Sequence, residues 1–326
     1  MCPIAQNFQG SDEESATECP RSRSTADSTT IPDWMIESIG GGALRQVDLD
    51  NGTNGWASPP GDLFSLRSKA YLTKRQKCPA GDYLLSPIGM DWLKSNSKLE
   101  NVLARPDNRI SQALKKAQSE GESMKSFVFA VNIQVPSKDN YSAVFYFATE
   151  DPIPPDTLLY QFVHGDDAYR NQRFKMVNKI VEGPWVVKKS VGNYSACLIG
   201  KALTCNYHRG ANYLEIDVDI ASSAIANAIL HLALGYATSV VIDMGFVVEG
   251  QTEDELPEKL IGAVRVCKME MSSATEIDAG TPPIQTTAGC LGMGVSKVNF
   301  VTPSIQTTAG NGIGILKSGG GDDNDK

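Results

Sequence analysis

GPWVVKKSVGNYSACLIGKALTCNYHRGANYLEIDVDIASSAIANAILHLALGYATSVVIDMGFVVEG, from Gly183 to Gly250, is the stretch that decides the fold. SACLIGKALTCNYH and NYLEIDVDI read as strands, and SSAIANAILHLALGYATSVV reads as a helix that Ser222 or Ser223 can cap. In that helix Ile225, Ile229, Leu232 and Tyr236 form one stripe, which Leu230 and Leu234 widen, so a helix covered nearly all round is predicted. A membrane span is the competing reading, but Asn227, His231 and the flanking Asp219 and Asp243 would lie in or beside the bilayer, which disfavours it. VIDMGFVVEG and KLIGAVRVCKMEM supply two more strands, separated by the acidic loop QTEDELPE. The expectation is an α+β fold: an antiparallel sheet packed against a long buried helix, flanked by disordered tails.

Upstream, SFVFAVNIQVP from Ser126 alternates Phe127, Phe129, Val131, Ile133 and Val135 with smaller or polar residues, the period-two mark of a strand with one buried face. YSAVFYFATE is its hairpin mate, and the pair is expected at the centre of the sheet. Helices are predicted from about Asn108 to Glu120, from Thr157 to Val163, and from Asp166 or Asp167 to about Val181. Before them, the Pro, Gly and Asp punctuation of residues 56–95 predicts loops joining short strands or turns.

Residues 1–55 hold too few apolar side chains for a core and predict a disordered acidic, Ser-rich tail, with the folded domain at 56–270 and a flexible Gly/Thr-rich tail at 271–326. IPDWMIESI is the exception: Ile31, Trp34, Met35 and Ile39 at helical spacing fit either a docking segment or an isolated turn. TPPIQTTAG at Thr281 recurs as TPSIQTTAG at Thr302, and two copies are too few for a solenoid.

The 326 residues carry a formal net charge of −8 and seven cysteines. That acidity opposes general nucleic-acid binding, which needs a basic surface against phosphate. Scattered cysteines without a C-x-x-C pair suggest reduced cytosolic thiols rather than a zinc knuckle. MCPIAQNFQGSDEES lacks the design of a secretory signal, so a cytoplasmic location is expected.

Among candidate chemical groups, EIDVDI places Glu215, Asp217 and Asp219 at i, i+2 and i+4, on one face of a strand. Three readings stand: an acidic face for a protein partner, pairing with Arg209 or Lys201, or a Ca²⁺ or Mg²⁺ site. The last lacks the glycine-bearing turn of recognised calcium loops, and no metal is expected. Arg170, Arg173, Lys175 and Lys179 line the third predicted helix, as contacts for anionic lipid headgroups or as a solvated surface. His164, His208 and His231 make no H-E-x-x-H pattern, and His231 is expected to be a hydrogen-bonded core residue. Ser195 and Cys197 lie in no G-x-S-x-G elbow, and LGMGVSK lacks phosphate-loop spacing. No catalytic residue and no cofactor is expected.

PPGDLFSLRSKAYL, CPAGDYLLSPIGMDWLK, GPWVVKKSVGN with Trp185, NYLEIDVDIASS and DELPEKLIGAVR occur in fixed order between Trp56 and about Glu270. This block resembles the C-terminal domain of the plant Enhanced Disease Resistance 2 family, as a short stand-alone member. Larger members of that family place it after a pleckstrin-homology domain and a START lipid-binding domain and act at membranes in signalling or defence control. Nothing before Trp56 is long or apolar enough to be either, so phosphoinositide binding is not carried over. The resemblance implies a non-enzymatic, lipid-associated or membrane-peripheral module in defence or stress signalling. The alternative is a protein-interaction scaffold with a solid core.

Overall fold

The computed structural model describes residues 31–278 apart from Asn193. In chain order these form α1 (Asp33–Gly40), β1 (Arg45–Gln46), β2 (Gly55–Ala57), β3 (Ser65–Arg67), α2 (Tyr71–Lys74), β4 (Lys77–Pro79), β5 (Ser86–Ser95) and α3 (Arg109–Ser119). Then come β6 (Phe127–Val135), β7 (Asn140–Thr149), α4 (Leu158–His164), α5 (Asp167–Arg173), β8 (Phe174–Glu182), α6 (Trp185–Val191) and β9 (Tyr194–Leu198). Last are α7 (Ile199–Ala202), β10 (Thr204–Arg209), β11 (Tyr213–Asp219), α8 (Ala224–Leu234), β12 (Val241–Val248), β13 (Leu260–Cys267) and β14 (Thr275–Ile277). The fold is α+β. Residues 1–30 and 279–326, with the paired TPPIQTTAG and TPSIQTTAG segments, lie outside the described residues.

The hairpin of β6 and β7 forms as the alternation predicts, with Phe129 opposite Phe147 and Val131 opposite Phe145. It is the middle of one sheet, ordered β10-β11-β6-β7-β5-β14. A second sheet, ordered β1-β2-β13-β12-β8-β9, packs on it face to face, and β3 and β4 pair separately. The sequence predicts an antiparallel sheet, but both large sheets are mixed: β11 runs parallel to β6, β14 to β5 and β1 to β2. β11 and β14 reach β6 and β5 from distant parts of the chain, where no hairpin sets the direction, and β1 and β2 are joined by residues 47–54 rather than by a tight hairpin turn.

Both faces of the first sheet are covered. One faces the second sheet, while Val128, Ala130, Val144, Tyr146 and Ala148 on the other lie under α1 and α3. Hence β6 is buried on both sides rather than one. In α3, Asn108 caps the helix by accepting from the Ser111 amide at 2.9 Å, and Ile110, Ala113, Leu114 and Ala117 form the buried stripe. On the second sheet, Gly262 lets the strands approach closely: a Cβ there would lie 2.2 Å from the Phe147 ring.

Several boundaries differ from expectation. The folded part starts at α1, not at Trp56, because Trp34 and Met35 pack on the first sheet's outer face and the Trp34 indole donates to Glu150 at 2.9 Å. It also extends past Glu270 to β14. The supposed short runs near residue 90 make the ten-residue β5, whose pairing absorbs Pro87 through a register shift before Gly89. The helix predicted to Val181 ends at Arg173. In residues 174–181, Phe174, Val177 and Val181 match a helical period while Phe174, Met176, Asn178 and Ile180 match a strand, and pairing with β12 and β9 decides for the strand.

Truncating Trp34 tests whether α1 belongs to the core. Trp34→Ala should lower unfolding stability by about 3–5 kcal/mol, read from the midpoint of a urea titration; a change within error would mean that the segment is not docked.

Candidate functional site

Between the two sheets, the core is unevenly filled. Toward one end, Phe145, Phe147 and Phe174 surround Phe246 at ring-centroid distances of 5.7, 5.7 and 6.2 Å, and Phe162 lies 6.1 Å from Phe174. Toward the other, the same strands carry smaller or more flexible side chains. Along β7 the inward series is Phe147, Phe145, Ala143; along β8 it is Phe174, Met176, Asn178; along β12 it is Phe246, Met244, Ile242. There the sheets enclose a cavity of about 290 Å³. Met90, Met176, Met244 and Met269 line it, side chains whose unbranched thioethers adapt to varied shapes.

Its cover comes from α6, β9, α7 and α8. Ser223 caps α8 by accepting from the Ala226 amide at 3.3 Å, and Ala226, Ile229, Leu230, Ala233 and Leu234 point at the cavity. The expected buried helix is therefore a lid: no residue of α8 is fully buried, because its inner face borders a cavity rather than packed side chains. His231, expected in the core, is on the outward side and exposed. The exposed lining residues Ser190, Ala196 and Ala202 mark the opening.

No charged or histidine side chain lines this cavity. Its polar groups are few. Ser195 donates to Asn178 across the β8–β9 pairing, and the indole N–H of the buried Trp92 meets no acceptor among the described residues. The Cys197 thiol, also in the wall, is pushed up by burial and stays protonated, a poor nucleophile. Such a lining can hold hydrocarbon and offer one or two hydrogen bonds.

The basic residues singled out from sequence do not form a helical face. Arg170 is buried and donates to the Phe162 and Val163 carbonyls and to Asp167. Arg173 pairs with Glu255 at 2.8 Å, and Lys175, on β8, is buried against Glu258 and Glu249. Only Lys179, half-buried on β8, is outside this internal pairing. Arg67 joins the same network through Glu249 at 2.9 Å.

The carboxylate row is also internal rather than an exposed face, at 0% exposure for Glu215 and 1% for Asp217. The segment at 98–104 covers it. Glu215 accepts the amides of Val102 and Leu103 at 2.6 and 2.7 Å; Asp217 accepts from the Asn101 amide, Asn132 and His208. Only the half-buried Asp219 reaches a lysine, Lys98, at 2.8 Å; neither Arg209 nor Lys201 is its partner. Burial and the neighbouring Asp217 push Glu215 well above the usual carboxylate range, against the pull of the two amides. Among the described residues no three acidic, histidine or cysteine side chains converge as metal ligands. The cavity wall itself was missed in the sequence; the signal was the fall from Phe to Ala or Met along successive inward positions.

A family model described as Protein ENHANCED DISEASE RESISTANCE 2, C-terminal, matches residues 56–270. The chain belongs to the Enhanced Disease Resistance 2 C-terminal family. A relative from Arabidopsis thaliana, Protein ENHANCED DISEASE RESISTANCE 2-like, is 43% identical over 233 residues, 72% of this chain and 31% of that protein. The chain thus spans roughly a third of that relative's length. Within this member of the family, NYLEIDVDIASS builds β11 and the cap of α8, GPWVVKKSVGN builds α6, and DELPEKLIGAVR supplies the carboxylates that neutralise Arg173 and Lys175 together with β13.

His208 gives a pH handle on the covered carboxylates. Its hydrogen bond to Asp217 at 2.8 Å raises it above its ordinary 6.5, more than partial burial lowers it. A raised folded value means that the contribution to stability is complete below about 6.5 and is lost as pH rises through the folded value. His208→Gln should therefore destabilise more at pH 5.5 than at pH 8.5, by about 1 kcal/mol or less because the ring is partly open to solvent. Urea titrations at both pH values check this; an equal loss at both would show that the imidazole charge plays no part.

Proposed function

We propose that this protein is a non-catalytic lipid-binding module that holds the hydrocarbon portion of a lipid between its two sheets, beneath α8. The observation that carries the reading is the apolar, uncharged cavity of about 290 Å³, near the size range of small-ligand sites and roofed by a helix that is not packed down. A charged head inside would lose its hydration without a counter-charge, so the head of a bound lipid stays at the opening beside Ser190. Hydrolysis or group transfer would need a convergent acid, base and nucleophile, and the lining offers a protonated Cys197, the Ser195–Asn178 pair and the Trp92 indole N–H instead.

A scaffold reading has less to stand on. It was drawn from the acidic row, whose Glu215 and Asp217 are covered by residues 98–104. The name of the Arabidopsis relative connects that protein to disease resistance, and we extend that setting to this chain as a cytoplasmic, membrane-peripheral component of plant defence signalling.

Native mass spectrometry of the full chain incubated with oleic acid, alongside a fluorescent fatty-acid titration, tests the cavity. One bound ligand per chain is expected. Ala143→Phe and Ala226→Phe, which fill the cavity from opposite walls, should each weaken binding by about tenfold or more while the protein stays folded. Binding that neither substitution changes, or none at all, would sink the proposal.

A further inference from the structure

The outward side of α8 carries Ala224, Ile225, Ala228, His231 and Gly235 at its end, with Ile225 55% exposed. From Ile220 to Ile242 the sequence contains no Asp, Glu, Lys or Arg. A helix that faces water normally places charged side chains on its outer face, and this one places none.

Beside the C-terminal end of α8 lie three more exposed apolar side chains: Trp185 at 74%, Tyr236 at 40% and Val181 at 38%. They share a surface because the segments that bear them are packed together. Ile180, Val187 and Val240 form one small core ringed by Val186, Val191 and Ala233, and a Cβ on Gly183 would be 3.3 Å from Val240. The end of β8, the first turn of α6 and the turn after α8 therefore meet there.

The charge at this edge is positive. On α6, Lys189 is exposed and Lys188 half-buried, and neither forms an ion pair among the described residues. Glu182, the nearest acid in sequence, pairs with Lys268 at 3.0 Å. Indole and phenol rings favour the boundary between headgroups and acyl chains, where lysines reach anionic headgroups. A two-fold contact between copies through the same patch would instead set the lysines of one α6 near those of the other.

We propose that the outer face of α8 with Val181, Trp185 and Tyr236 seats on an anionic bilayer, with Lys188 and Lys189 against the headgroups. The proposal rests on the cavity reading above and gives it a route. Since α6 carries both Trp185 and, at the cavity opening, Ser190, a lipid leaving the bilayer there reaches the cavity with little exposure of its chain to water. This is attachment in the plane of the interface: no helix among the described residues is long and apolar enough to cross a membrane.

Tryptophan emission reads the docking directly, because Trp34, Trp56 and Trp92 are buried and Trp185 is not. The full chain should co-sediment with phosphatidylcholine–phosphatidylserine vesicles more than with phosphatidylcholine alone. Brominated phosphatidylcholine in those vesicles should quench the emission, and Trp185→Phe should abolish that quenching. Lys188→Ala and Lys189→Ala should each weaken binding by about fivefold. Absence of vesicle binding by a chain that takes up the fluorescent fatty acid would overturn the docking surface and leave the cavity reading standing. Vesicle binding with Trp185 quenched, but no fatty acid taken up, would support the surface and remove the cavity reading. Trp185-dependent self-association in sedimentation velocity, without vesicle binding, would overturn the proposal in favour of a second copy.

Discussion

Phe246 sits at the centre of a group of rings drawn from both sheets, with Phe145 and Phe147 from the first and Phe174 from its own. Burying such rings removes large apolar areas from water, and tilted or offset contacts add to that. The two sheets are fastened at this end, and Gly262 permits the close approach that the Phe147 ring requires. Fastening at one end is what allows the other to stay open. Were the sheets held only by side chains evenly spread along their length, smaller residues at one end would simply let them collapse together. Here the rings set the spacing, and Ala143, Met176 and Met244 leave a volume that α8 covers rather than fills.

Charge is handled in the opposite way. The acidic loop between β12 and β13 turns inward: Glu249, Glu255 and Glu258 neutralise Arg67, Arg173 and Lys175, so cations that looked available in the sequence are tied into the body of the protein. Glu215 and Asp217 likewise serve as acceptors for amides of residues 101–103. Removing one member of such a buried set leaves its partner uncompensated, which costs more than the pair contributes. The ionic groups thus specify loop positions, while the cavity wall is kept free of them.

Much of the fold was legible in the sequence because period and caps agreed with tertiary structure. Asn108, Thr157, Asp166 and Ser223 all cap helices, and the alternation of residues 127–135 gave a strand. Residues 174–181 were misread because two periods fit them, and only neighbouring strands choose between the two. The acidic row was placed correctly on one strand face, but whether that face met solvent depended on a segment more than a hundred residues earlier in the chain. The same holds for α8: its apolar composition predicted a helix covered nearly all round, yet its outer face is exposed and its inner face borders a cavity, because composition does not say what packs against a side chain.

Both sheets close late. In the second, Ala57 on β2 waits for Arg265 on β13, and in the first, Leu93 on β5 gains its neighbour Thr275 only from β14. Pairings between such remote segments carry a large loop-closure cost and slow folding. During synthesis the hairpin of β6 and β7 emerges with its phenylalanines long before β12 brings Phe246 to cover them. The nascent chain therefore passes through a stage with an aromatic surface open to solvent, the kind of intermediate that chaperones shield. It also follows that deleting the last strand would uncover Leu93, Lys94 and Ser95 at the end of β5 and lengthen the open edge of the sheet.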